Sequence, residues 1–159
     1  MNPFSDDTEA VAPMPVPGSG GTEPVDVDRP GDGSAAVRVV LADDAEDLRR
    51  LLVRLLGRDR RITVVGEASD GIAAVRVCRE LRPDVLVLDL SMPGSDGLHT
   101  LDAVRMDPGT AVVVLSGLPR AQVEAACLER GAAAYLEKGV AADRIVTAVL
   151  AAGGHHDLA

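Results

Sequence analysis

Four charged side chains point to chemistry on an anionic group. Lys138 is the only lysine among 16 basic residues; every other one is Arg. A composition that exchanges Arg for Lys nearly everywhere, yet keeps Lys here, implies a need for a compact ammonium rather than a guanidinium fork. Lys138 follows the apolar run 132–136 and stands three residues after Tyr135, the only tyrosine. Asp43 and Asp44 follow the run 37–42, and Asp89 follows the run 85–88. If those runs are parallel strands, three carboxylates and the ammonium share the edge where open α/β sheets build their sites. Carboxylates a few ångströms apart repel one another unless protonated or bridged by a cation. Hard oxygen donors suit Mg²⁺, which takes one or two carboxylates together with phosphate oxygens. Any one of these acids alone would read better as a helix cap or a strand end. Their coincidence with Lys138 favours the metal.

The elements that must position them follow from the pattern. Apolar runs at 37–42, 62–65, 85–88, 111–115 and 132–136 are short and rich in Val and Leu, as strands covered by helices on both faces are. Helical patterns lie between them. Leu48, Leu51, Leu52, Leu55 and Leu56 recur at helical spacing, with Gly57 expected to close the helix. Further helices are predicted over 71–81, 98–105, 119–130 and 142–152, the fourth with Pro119 in its first turn and Gly131 after its last. Five strands alternating with five helices predict a parallel α/β sandwich. Right-handed crossovers favour the flavodoxin-like, doubly wound strand order 2-1-3-4-5. In that order the acidic pair and Asp89 sit on adjacent strands, where the strand order reverses.

Composition bounds the rest. The net charge of −9 is uneven: residues 1–36 carry seven acids against one Arg, along with six Pro and five Gly. Such a segment buries too little apolar surface to offset its ordering entropy, so a disordered tail is expected there. Residues 37–153 form the expected domain, and 154–159 a short tail. The domain is nearly charge-balanced and has no basic face, which argues against binding DNA. Cys78 and Cys127 lie in helical segments and read as small buried apolar residues. No apolar stretch is long enough to span a bilayer, and the acidic N-terminus is unlike a secretory signal, so a cytoplasmic protein is expected.

Taken in order, these motifs resemble the receiver domain of bacterial two-component response regulators over about residues 37–152. Asp43–Asp44 match that family's metal-holding pair, and Asp89 in VLVLDLSMPGSDG matches its phosphoacceptor. Ser116 in VVVLSG matches the hydroxyl residue ending the fourth strand; Tyr135 and Lys138 in AAYLEKG match the switch aromatic and the lysine. The wording VVGEASDG, RPDVLVLDL and GAAAYLEKG is most similar to the NarL/FixJ subfamily. The resemblance implies a Mg²⁺-dependent transfer of a phosphoryl group from a sensor histidine kinase to Asp89. It implies direct metal ligation by Asp44 and Asp89, a backbone carbonyl ligand from Ser91, and a water-mediated role for Asp43. Lys138 and Ser116 would contact phosphoryl oxygens. Ser116 and Tyr135 would then switch the face made by the fourth helix, fifth strand and fifth helix. The only catalysis implied is of the chain's own phosphotransfer and autodephosphorylation.

Two residues depart from the family pattern: Gly139 replaces the Pro that commonly follows the lysine, and Ser116 replaces the commoner Thr. About seven residues follow the fifth helix, too few for a DNA-binding module, so a stand-alone receiver acting through a downstream protein is expected. The wide apolar arc of residues 142–152 suggests docking or a homodimer through that helix, with deeper packing in the domain as the plainer alternative. Two competing functions remain. One is a receiver-like docking or dimerisation module that works without phosphorylation. The other, a phosphatase or NTPase, lacks both a Gly-rich loop after the first strand and a second aspartate two residues after Asp89. Deleting residues 1–36 is expected to leave the melting temperature and the labelling of Asp89 unchanged. A calorimetric shift of several degrees would show that the segment packs on the domain.

Overall fold

The structure, a computed structural model, describes residues 35–154. The expectations for the acidic N-terminal segment before Ala35 and for the tail after Gly154 lie outside the described residues. Five strands alternate with five helices: β1 (Val37–Ala42), α1 (Glu46–Gly57), β2 (Ile62–Ala68), α2 (Gly71–Leu81), β3 (Val85–Leu88), α3 (Gly97–Arg105), β4 (Ala111–Ser116), α4 (Arg120–Glu129), β5 (Ala134–Glu137) and α5 (Ala142–Ala152). The strands pair in parallel in the order β2-β1-β3-β4-β5. This is the flavodoxin-like arrangement anticipated above.

Successive strand residues face opposite sides of the sheet, and each side builds its own core. Val40, Leu86, Val112, Val114 and Tyr135 point into one cluster, which takes in Ala74 and Cys78 of α2, Leu101 of α3 and Cys127 of α4. Val39, Leu41, Val85, Val87, Val113 and Leu115 point into the other, with Leu52 and Leu56 of α1 and Ile145 and Val149 of α5. Both cysteines are buried and unpaired. Burial holds the Cys78 thiol up at about 11, with Asp107 adding to the shift, so it stays protonated at neutral pH.

Several boundaries differ from expectation. β2 runs on to Ala68: Val65 bulges out of β2 opposite the step from Val39 to Val40 of β1, and pairing resumes at Gly66. β5 starts at Ala134, two residues late, and takes in Glu137. Gly57 is the last residue of α1, and Arg58 caps the helix. Pro119 is the N-cap of α4 rather than part of its first turn. On α1 the buried stripe is centred between Leu52 and Leu56, so Val53 packs at its margin while Leu51 is 42% exposed. The wide apolar arc of α5 goes largely into the domain, with Leu150 buried and Val146 packed against the core. That removes most of the surplus on which docking or a homodimer through this helix rested.

The loop between β3 and α3 is held by close packing. A Cβ on Gly97 would lie 2.5 Å from both the Cα and the carbonyl oxygen of Leu90. Backbone cannot yield cheaply, so overpacking of this kind costs roughly 1–3 kcal/mol. The gain in helix propensity from Gly to Ala is smaller, at most about 1 kcal/mol. Gly97→Ala is therefore expected to lower stability in urea denaturation. A midpoint equal to or above that of the wild type would show that the loop shifts freely.

Candidate functional site

The sheet ladder continues past the strand ends and pins both buried acids. The Asp89 N–H donates to the Ala42 carbonyl at 2.9 Å, and the Asp43 N–H donates to the Ala68 carbonyl at 3.0 Å. Each carboxylate then divides its two oxygens in the same way. Oδ1 of Asp43 accepts from the Ala45 N–H at 2.8 Å, and Oδ1 of Asp89 accepts from the Ser91 N–H at 3.0 Å. These are local Asx turns that fix each side chain against its own loop. Both Oδ2 atoms face Lys138, whose Nζ lies 2.9 Å from Asp43 and 3.3 Å from Asp89. Asp43 and Asp89 are 3% and 2% exposed. The Lys138 backbone is tied as well, its N–H donating to the Ser116 carbonyl at 2.7 Å.

Asp44 completes the cluster from the exposed side. Ligand oxygens of Asp43, Asp44 and Asp89 all lie within 4.8 Å of one another. A single ammonium against three ionised carboxylates leaves two negative charges in excess. An all-oxygen donor set with one open, exposed member fits a divalent hard cation such as Mg²⁺. Burial draws the Lys138 pKa down, but the hydrogen bond that the ammonium donates to Asp43 and the charges of Asp89 and Asp43 outweigh it, so the pKa is raised. The ammonium therefore stays protonated between its two acids.

Ser116 is fully buried at the end of β4, where its Oγ accepts from the Leu118 N–H at 3.0 Å. Tyr135 is 3% exposed and donates its hydroxyl to the Leu118 carbonyl at 2.5 Å. Its ring thus occupies the inward place that the family resemblance associates with switching. Ser91 is exposed on the turn after Asp89. Gly139 sits at φ +101°, a conformation that L side chains rarely adopt. The departure from Pro after the lysine thus has a backbone reason. A groove of about 570 Å³ runs between α2 and α3 past Ile72, Arg76 and His99, and none of Asp43, Asp44 and Asp89 lines it.

Two bracing residues carry no motif signal. Arg49 donates to the Asp43 carbonyl at 2.7 Å while pairing with Glu67 at 2.9 Å. Glu137 accepts from the Arg120 N–H at 2.6 Å. A surface-type Arg in a helix and a Glu beside Lys138 read as solvated charges until the fold brings their partners close.

Residues 39–150 match the response regulator receiver domain. The chain belongs to that family. It is 39% identical over 104 residues to protein-glutamate methylesterase/protein-glutamine glutaminase 4 of Myxococcus xanthus, covering 64% of this chain and 30% of that protein. It is 40% identical over 115 residues to "Probable transcriptional regulatory protein NarL" of Mycobacterium tuberculosis, covering 72% and 53%. The structure of the NarL signal receiver domain from M. tuberculosis superposes with a TM-score of 0.70 at 39% identity, covering 74% of this chain and 96% of that one. The chain spans about a third to a half of the length of these curated relatives. Receivers bind Mg²⁺ in an acidic pocket, and the carboxylate cluster has the donors that pocket requires. Among the described residues, no helix is long and apolar enough to cross a membrane.

Tyr135 is the only tyrosine, so its ionisation can be followed cleanly. Burial raises its pKa above the ordinary value; the hydroxyl of Ser116 pulls the other way but is outweighed. The tyrosinate absorbance of the folded protein is expected to develop above the midpoint of about 10 shown by free tyrosine. Because the folded value is the higher one, the associated stability is fully present below the unfolded value and is lost as pH rises through the folded one. A spectrophotometric midpoint at or below 10 would mean that the ring is not held inside.

Proposed function

We propose that this receiver accepts a phosphoryl group on Asp89 from a sensor histidine kinase, in a Mg²⁺-dependent reaction. It then signals through protein contacts of the α4–β5–α5 face. The observation that carries this reading is the Lys138 ammonium lying between two buried carboxylates, with Asp44 exposed beside them. Asp44, Asp89 and the Ser91 carbonyl would hold the metal, with Asp43 acting mainly through water. When bound, Mg²⁺ supplies charge neutralisation between an anionic nucleophile and an anionic phosphoryl group.

The chain's own residues do the rest. A carboxylate oxygen of Asp89 attacks phosphorus as the bond to the kinase imidazole breaks, and the product is an acyl phosphate. The Asx turn with Ser91 keeps the Asp89 side chain in one rotamer, which lowers the entropy cost of attack. Lys138, already within 3.3 Å of Asp89, transfers its ammonium contact to a phosphoryl oxygen. The Ser116 hydroxyl, drawn toward another phosphoryl oxygen, loosens its hold on Leu118 and so alters the seat of Tyr135. The output is a population shift across the α4–β5–α5 face. The inward ring of Tyr135 favours a second reading, in which the face is already set and the domain docks partners without phosphorylation.

Intact-mass analysis with Mg²⁺ and acetyl phosphate separates the two. Wild type is expected to gain one phosphoryl mass and Asp89→Ala none, with Tyr135 emission changing on labelling. Lys138→Arg keeps the charge but widens the cation into a planar fork; it is expected to label slowly, or to label without the emission change. Equal labelling of Asp89→Ala would end the phosphoacceptor assignment. Labelling that leaves emission unchanged would favour the docking module.

A further inference from the structure

α4 is the helix least secured by its own sequence. Its N-cap, Pro119, makes no side-chain hydrogen bond, and its first turn holds no acid. Every other helix has one or the other. Asp70 and Asp96 cap α2 and α3 through their side chains, while α1 and α5 carry acids in their first turns. α4 also buries least, with Cys127 its one fully buried residue. The unmet N–H groups and positive dipole end of α4 are instead answered from β5. There the carboxylate of Glu137 takes the Arg120 N–H at 2.6 Å, seventeen residues away in sequence.

Glu137 is the residue immediately before Lys138, and the backbone N–H of Lys138 is held by the Ser116 carbonyl. The ammonium of the carboxylate cluster and the cap of α4 are therefore carried by adjacent residues. Two further bonds hold the same loop, from the Leu118 N–H to Ser116 Oγ and from the Tyr135 hydroxyl to the Leu118 carbonyl. They act on the loop before the helix, whereas Glu137 acts on the helix end itself.

We propose that Glu137 is a positioning residue that couples Lys138 to α4, acting as a cap supplied to the helix N-terminus by a distant strand of the same chain. This rests on the phosphoacceptor reading of Asp89 and adds to it the link by which α4 senses the site. Glu137 touches neither the carboxylate cluster nor a reacting atom. Its removal is expected to spare labelling of Asp89 while disconnecting the helix.

The test is amide exchange by NMR on the full chain, unphosphorylated and after labelling with acetyl phosphate and Mg²⁺. In the unphosphorylated protein, Glu137→Ala is expected to speed exchange of the Arg120 amide about fivefold, the effect of losing one N-cap, while α5 amides keep their rates. Adding Pro119→Asp gives α4 a local cap that reaches the Ala121 or Gln122 N–H rather than that of Arg120, and is expected to restore slow exchange in the rest of the first turn. The restored helix should nonetheless fail to respond when Asp89 is labelled, whereas wild-type α4 responds. A merely structural cap predicts the opposite, a double variant that responds like wild type, and that result overturns the proposal. So does an unchanged Arg120 rate in Glu137→Ala. Glu137→Gln, which keeps the side-chain shape, gives the same contrast at smaller amplitude if the Ala variant does not fold. Absence of label on the wild type removes the phosphoacceptor reading and the coupling together, while the unphosphorylated rates still decide whether Glu137 caps α4.

Discussion

The ammonium of Lys138 between Asp43 and Asp89 is the contact on which the site depends. Pairing of β1 with β3 sets Ala42 against Leu88, so the next residues, two aspartates, must lie side by side at the sheet edge. Both are almost fully buried, and two buried like charges would be untenable without a counter-ion. Lys138 supplies it from β5, two strands away from β3. Breaking a buried pair from one side costs about 3–5 kcal/mol because the remaining charge is left uncompensated. Here that cost is reduced, because Lys138 is partly exposed and Asp44 opens the cluster to water. The site is thus stable when closed by its lysine and still reachable by a cation and an anionic group.

The surrounding architecture divides rigidity from adjustability. β1, β3 and β4 are buried along nearly their whole lengths and sit between two apolar clusters. That slab cannot move without opening both cores, so the carboxylates keep their spacing. α4 is secured differently, with little buried surface, a polar tie from Glu137 to its first residue and two more ties on the loop before it. Hydrogen bonds can be exchanged for others at small net cost, whereas packed apolar area cannot. Adjustment is therefore directed to α4 and the loop before it.

β5 shows how one short strand serves both functions. Tyr135 enters the core beneath α4, while Leu136 enters the core on the other side of the sheet. Glu137 returns to the α4 side, and Lys138 leaves the strand end for the carboxylates. Alternation along a pleated strand makes these four residues address four different surroundings.

Much of this was legible in the chain. Short Val- and Leu-rich runs separated by helical periodicity determined a parallel α/β sandwich, and handedness then left few strand orders. The acids at the ends of the first and third runs and the solitary lysine after the fifth determined a site at one sheet edge. Those signals are local in sequence, either a period or a residue type at a run's end. Tertiary structure decided what no local pattern encodes. It chose which oxygen of each aspartate faces Lys138, extended β2 through a bulge, buried Leu150 and exposed Leu51. It also turned Glu137 from a solvated charge into the cap of a helix that precedes it in the chain. In each case the deciding partner is distant in sequence, and only the folded backbone brings it within hydrogen-bonding or packing range.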